Sequence, residues 1–153
     1  MKIRKAVLKD AAVVTDFNLK LAHESEGLKL DAKIVGKGVR DLLKNPARGI
    51  YLLAENGSAR SKKEIIGQLM LTPEWSDWRN GNFWWIQSVY VPKEFRGRGI
   101  FRSLYRHVIQ LARRHGNVCG LRLYVEKQNE PALRTYKKLG LKETCYRVFE
   151  TKF

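Results

Sequence analysis

Apolar residues recur along this chain in two rhythms, one alternating and one helical, and the changes between them mark out the elements. Ile3-Arg4-Lys5-Ala6-Val7 alternates and predicts a first strand. From Ala11 the spacing turns helical, with Ala11, Val14, Phe17 and Leu21 on one face. Asp10 stands where an N-cap belongs, and the polar stretch His23 to Gly27 is expected to break this helix near Ala22. Asp31 caps a second helix carrying Ile34, Val35, Val39, Leu42 and Leu43. That helix has to stop before Pro46, because the residue ahead of a proline avoids helical geometry.

The period then shortens. Ile50 to Ala54 reads as a strand, followed by the turn signal Asn56-Gly57 and a charged hairpin tip from Arg60 to Lys63. Ile65 to Thr72 is the returning strand, and Phe83 to Val91 is a third long one, ended by Pro92. A helix follows the glycines at 97 and 99, with Ile100, Leu104, Val108 and Leu111 at helical spacing. Leu121 to Val125 reads as a strand, Asn129 opens a short helix that Gly140 ends, and Tyr146 to Phe153 closes with a final strand. The predicted order is β-α-α-β-β-β-α-β-α-β, an α/β (α+β) fold in one domain spanning residues 1–153, with a central sheet.

Composition adds bounds to this outline. Hydrophobic residues make up 44% of the 153, enough for one packed core. No apolar run approaches the roughly 20 residues that span a bilayer, and Met1 to Asp10 lacks a signal peptide's apolar stretch. A soluble, cytoplasmic protein with no membrane partner is expected. Cys119 and Cys145 have no CxxC partner and no metal-ligand spacing, so they are expected as small buried apolar residues, and no metal is expected. The net charge of +15 favours anionic partners: nucleic acid, a membrane surface or a phosphate-bearing cofactor. The basic residues are spread over the whole chain without a helix-turn-helix, zinc-finger or RNA-binding signature, so a nucleic-acid-binding module is the less favoured alternative.

Candidate chemistry concentrates in Val89-Tyr90-Val91-Pro92-Lys93-Glu94-Phe95-Arg96-Gly97-Arg98-Gly99-Ile100, where a strand runs through a glycine-containing turn into a helix. Free N–H groups at a helix start and the helix dipole favour negative charge, and glycines let backbone approach a phosphate. Arg96 and Arg98 add positive charge. A pyrophosphate suits such a turn, although it is neither a Walker loop nor a full GxGxxG.

This segment resembles motif A of the GNAT superfamily of N-acetyltransferases, (Gln/Arg)-x-x-Gly-x-(Gly/Ala). Arg96 to Gly99 match its first four positions, and Phe101 departs at the last, where a bulky side chain would crowd the pyrophosphate or tilt the helix start. A second block some thirty residues on is similar to the same superfamily's second coenzyme motif: a strand, then Asn129, Ala132, Tyr136 and Gly140. The resemblance covers essentially the whole chain and implies a single-domain fold with a mixed, mostly antiparallel sheet flanked by helices. It implies acetyl-coenzyme A as cosubstrate and a small-molecule or peptide amine as acceptor. It also implies that the strand before the turn splays from its neighbour, so that Val89, Tyr90 and Val91 pair with the pantetheine arm. Arg96, Gly97, Arg98, Gly99, Ile100, Phe101 and Arg102 would hold the pyrophosphate, and Asn129 would contact the pantetheine. Tyr136 would be the general acid that protonates the departing thiolate.

The acceptor end is less legible. All four tryptophans fall within the eleven residues from Trp75 to Trp85, a layout similar to the diamine acetyltransferase branch. The acidic residue of that branch is replaced here by Gln87 and Ser88, neither of them a base. Glu26, Trp75, Asp77 and Gln87 are the acceptor-site candidates, with His23, Glu24 and Glu74 as further possibilities for a base. Alternation sends Phe83, Trp85 and Gln87 one way and Trp84, Ile86 and Ser88 the other, so the tryptophans cannot all line one pocket. The missing base keeps a non-catalytic coenzyme A sensor as another alternative. A homodimer would suit an exposed tryptophan patch.

Overall fold

The computed structural model describes residues 1–57 and 63–151. Five strands form one sheet: β1 (Lys2–Lys5), β2 (Ile50–Asn56), β3 (Glu64–Ser76), β4 (Gly81–Tyr90) and β5 (Val118–Leu123). Their spatial order is their chain order. The first four pair antiparallel, and β5 runs parallel to β4. Four helices flank the sheet: α1 (Ala11–Glu26), α2 (Ala32–Lys44), α3 (Ile100–His115) and α4 (Glu130–Lys138).

The alternation of each strand divides the apolar residues between two cores. On one face, Val14 of α1 and Val39 of α2 pack with Tyr51 and Leu53. On the other, Leu104 and Val108 of α3 pack with Leu52, Leu69, Leu71 and Ile86. Fully burying one such side chain contributes roughly 1.5–3 kcal/mol, so these two layers fix where the helices lie.

Several boundaries differ from the sequence reading for identifiable reasons. α1 runs to Glu26 rather than Ala22, because the polar residues at its end are solvated on the helix and only Gly27, at φ 66°, turns the chain. Asp10 does not cap α1 with its side chain. Its carboxylate instead takes two hydrogen bonds from the Arg4 guanidinium, at 2.8 and 2.9 Å, and one from the Val7 N–H. Asp31 does cap α2, accepting from the N–H groups of Lys33 and Ile34. β3 passes through Pro73 to Ser76, where it pairs with β4 alone because β2 pairing ends at Ile50 and Leu71, so a proline there interrupts at most one ladder. Among the described residues the expected last strand is not formed. Residues 142–151 make no ladder with β5, which is the edge of the sheet, and Tyr146, Val148 and Phe149 lie exposed. Cys119 and Cys145 are exposed rather than buried, one on that edge strand and the other on that tail. Arg60, Ser61 and Lys62 of the expected hairpin tip lie outside the described residues, as do Lys152 and Phe153.

Candidate functional site

β4 and β5 pair only as far as Ile86 and Leu123, while β4 continues to Tyr90. From Gln87 onward the β5-facing side of β4 therefore has no strand neighbour among the described residues, and the sheet splits there. A break in register against β3 falls at the same place, between Gln68 and Met70, and Ser88 sits at φ 48°. Positive φ at a non-glycine residue is costly and persists only where surroundings over-determine it.

The surroundings are a buried polar network. The Gln68 Nε2 donates to Asn18 Oδ1 at 2.7 Å and to the Ser88 carbonyl at 3.3 Å. The Asn18 Nδ2 donates to the Tyr51 hydroxyl at 2.9 Å. Burial is the larger influence on Tyr51 and raises its pKa, and hydrogen bonds to Asn18 and Ser88 oppose it. Gln68 is fully buried. α1 thus reaches through the sheet face to grip the kink in β4. The sequence does carry a signal for this: one amide in the otherwise apolar run Ile65 to Leu71.

Beyond the split, Pro92 ends the strand and a single turn of 3₁₀ helix at Lys93–Phe95 leads into the glycine turn. Gly97 and Gly99 adopt φ 77° and 74°, which only glycine tolerates at little cost. A Cβ at either would meet nothing within 4 Å, so the space beside the turn is open. α3 starts with neither a side-chain cap nor an acidic residue in its first turn, so its leading N–H groups have no capping side chain. Gly67 lies under that first turn, where a Cβ would stand 2.8 Å from Ile100 Cγ2. An open turn, an uncapped helix start and the arginines fit an anionic pyrophosphate.

The arginines divide their tasks. Arg96 donates to the Val91 carbonyl at 2.8 Å and to Glu24 of α1 at 2.6 Å, so it ties the turn to the fold and already occupies one backbone group expected to face pantetheine. Arg98 lies over the Phe95 ring, and Arg102 is exposed on α3. Glu24 also accepts from the Tyr90 hydroxyl at 2.9 Å. The Arg96 guanidinium holds the Glu24 carboxyl below its usual range. Burial, reinforced by Glu24, pushes the Tyr90 phenol up to about 12.

Phe101 neither closes the turn nor displaces α3. Its ring packs against Tyr105 and meets the edge of Tyr136 on α4, with centroids 5.5 Å apart. Burial raises the Tyr136 pKa and so keeps the phenol protonated. Asn129 caps α4, accepting from the Ala132 N–H. On the opposite side of the sheet, Trp85 stacks on Tyr124 just past the end of β5, at 4.5 Å. The Trp85 indole donates to Glu74, which also accepts from Arg122 at 2.9 Å, and Arg122 lies 3.6 Å over the Phe83 ring. Trp84 faces the other way, toward His115 of α3.

The acceptor-site candidates are not brought together. Gln87 lies at the split and donates to Thr72 Oγ1 at 3.1 Å. Glu26 is exposed at the end of α1. Trp75 and Asp77 lie toward the far end of the β3–β4 hairpin. Met70 is the residue opposite Gln87, and Trp75 lies five residue steps along the strand from it, roughly 16 Å. Asp77 accepts from the N–H of Trp78. Among the described residues no group of His, Cys, Asp or Glu has the arrangement of a metal site, and no helix is long and apolar enough to cross a membrane.

Residues 19–141 match the sequence profile of the acetyltransferase (GNAT) family. The chain belongs to that family. A crystal structure described as a possible acetyltransferase from Clostridium difficile 630 is 40% identical, covers 99% of this chain and 97% of its own, and superposes with a TM-score of 0.87. A predicted acetyltransferase from Clostridium acetobutylicum, solved with acetyl-CoA, shares the fold at 20% identity and a TM-score of 0.77, over 98% of this chain and 95% of its own. An uncharacterised N-acetyltransferase of Methanocaldococcus jannaschii is 36% identical over 58 residues, which is 38% of this chain and a quarter (25%) of that protein. In this GNAT chain the segments Arg96 to Phe101 and Asn129 to Gly140 both lie within the matched span, and the tail after Leu141 lies outside it.

Proposed function

We propose that this protein is an N-acetyltransferase that moves the acetyl group of acetyl-CoA to a primary amine by direct attack. The observation that carries the reading is the split between β4 and β5 at Gln87, opening directly toward the uncapped start of α3. Acetyl-CoA supplies an activated thioester, and the C. acetobutylicum neighbour of the same fold was solved with that molecule.

The residues divide the work as follows. Backbone N–H groups around Ile100 to Arg102 and the side chains of Arg98 and Arg102 hold the pyrophosphate. Val89 and Tyr90 offer backbone groups to pantetheine, and an N–H there stabilises charge building on the carbonyl oxygen. Asn129 keeps its Nδ2 for pantetheine while its Oδ1 caps α4. Tyr136, buried beside Phe101 and held protonated, donates its proton to the leaving sulfur. The acceptor, a small molecule or a peptide amine, approaches from the α1 side past Trp85 and Tyr124. Glu24 and Glu74 are both engaged by arginine, so the ammonium loses its proton to water rather than to either carboxylate.

Thiol release from acetyl-CoA with a panel of amines tests this. Tyr136→Phe is expected to lower kcat by about 10²- to 10⁴-fold, the usual worth of a general acid, with acetyl-CoA affinity by calorimetry little changed. Unchanged turnover would remove Tyr136 from the acid role.

A further inference from the structure

One cluster on the sheet lies outside the transfer chemistry. Phe83, Trp85 and Gln87 alternate onto one face of β4, while Trp84 turns to His115 of α3. Gln87 pairs with Met70, which packs in the core of α1 and α2, so this is the face those helices share. Phe83 and Trp85 are only half-buried there. Gly120 of β5 stands opposite Phe83, and a Cβ on it would come within 2.6 Å of the ring, so the absent side chain makes room for Phe83. Two guanidiniums gather on that ring: Arg122 lies 3.6 Å from its centroid and Arg79 lies 5.6 Å from it.

The charges of this cluster do not balance. Arg122 donates one N–H to Glu74 at 2.9 Å, and the Trp85 indole donates to the other carboxylate oxygen. Arg79 has no carboxylate of the described residues within ion-pair distance. Asp77, two residues before it, accepts from the Trp78 N–H and pairs with neither arginine. One carboxylate thus faces two cations held on one aromatic ring. A guanidinium has five N–H donors in a planar fork, and an anionic group on an acceptor would take those that Glu74 leaves, through charge-assisted hydrogen bonds.

Spacing narrows the class of that acceptor. Phe83 lies four residue steps along β4 from Gln87, where the sheet splits, roughly 13 Å. An amine at the split and a carboxylate at Arg122 are therefore about four residues of extended chain apart. A free amino acid carries both charges on one carbon and cannot span that distance. A nucleic acid brings anions but no aliphatic amine. We infer, resting on the acetyltransferase reading of this chain, that the acceptor is a peptide with an acidic residue about four positions from its reacting amine. The acidic side chain binds Arg122 and Arg79, and the chain between runs over Trp85.

Six-residue peptides with a free amino terminus, an amidated carboxyl terminus and otherwise neutral residues test this, with either Glu or Gln at the fifth position. Calorimetry on the full chain gives Kd, and thiol release from acetyl-CoA gives kcat/KM. The Glu peptide is expected to bind about three- to tenfold more tightly and to show a similar advantage in kcat/KM. Glu at the second position should confer no such advantage. Arg122→Gln should bring the ratio of the two peptides close to one, and Arg79→Gln should lower it in part. Glu74→Gln should raise it by freeing Arg122, a direction that loss of structure alone does not produce. Arg79 is exposed, so its variant keeps the test open if Arg122→Gln fails to fold. Equal affinity for the Glu and Gln peptides overturns the inference, whether or not either is acetylated. So does an equal advantage at the second position, which reports only the net charge. A preference in binding without thiol release supports the peptide site and counts against the acetyltransferase reading, whereas thiol release without preference does the reverse. A single-stranded oligonucleotide that Arg122→Gln weakens, with both peptides bound alike, assigns the cluster to nucleic acid and overturns the inference.

Discussion

Gly97 and Gly99 matter for what they lack. Both hold φ near 75° with open space where a Cβ would go, so an added methyl meets no atom and only the backbone conformation resists it. A left-handed conformation costs a non-glycine residue about 1–2 kcal/mol. Gly99→Ala should lower stability by about that amount in a denaturant melt and raise the KM for acetyl-CoA, with a smaller effect on kcat. A change confined to kcat would mean that the turn does not touch the cosubstrate. Phe101 shows the converse, a large side chain where the motif has a small one. The sequence alone suggested crowding, whereas the ring turns toward Tyr105 and Tyr136 and becomes part of the wall behind the phenol. Which way a side chain on the first helical turn leans depends on what α4 presents to it, and that is not written in the local motif.

At the scale of elements, the junction of β1 and α1 is held by charge. Arg4 binds Asp10 through two nitrogens and reaches Glu55 on β2 at 3.2 Å, with the Asp10 side chain only 8% exposed. The Arg4 guanidinium holds the Asp10 carboxyl below its usual range, and the Val7 N–H adds to the effect. A group depressed in the folded state contributes stability that is fully present above its unfolded pKa, about 3.9, and lost as pH falls through the folded value. Asp10→Asn should cost about 3 kcal/mol near neutrality by leaving Arg4 short of a partner. The difference from wild type should shrink below about pH 4, and urea melts across that range check both statements. An equal deficit at every pH would mean packing rather than charge is lost. The local pattern named Asp10 as a cap because caps and ion-pair partners are the same residue types. The turn after β1 brings Asp10 back to Arg4, and the pairing of β1 with β2 adds Glu55 as the second partner.

Over the whole molecule, the charge of +15 acts as a field rather than as a set of contacts. In the proposed reading such a field would draw the polyanionic end of acetyl-CoA toward α3, and salt would weaken it because the Debye length falls to about 10 Å at 0.1 M. Raising ionic strength from about 0.05 to about 0.5 M should increase the acetyl-CoA KM several-fold and leave kcat nearly unchanged. A salt-independent KM would show that the phosphates are read by backbone groups and near neighbours alone.

The order of elements through α4, the glycine turn and the Asn129 cap were legible in the chain, because apolar period, glycine placement and the Asn129 to Gly140 spacing are local properties. The split of β4 from β5, and the Asn18, Tyr51 and Gln68 network that holds its kink, join residues far apart in sequence. The same holds for the separation of Gln87 from Trp75 and Asp77, and for the clamp of Glu24 on Arg96. The tail shows the division most plainly. Its alternation marks residues 146–153 as a strand, and period determines that much. A strand exists only with an edge to pair with, and which edge it finds is decided by how the whole chain is placed around it.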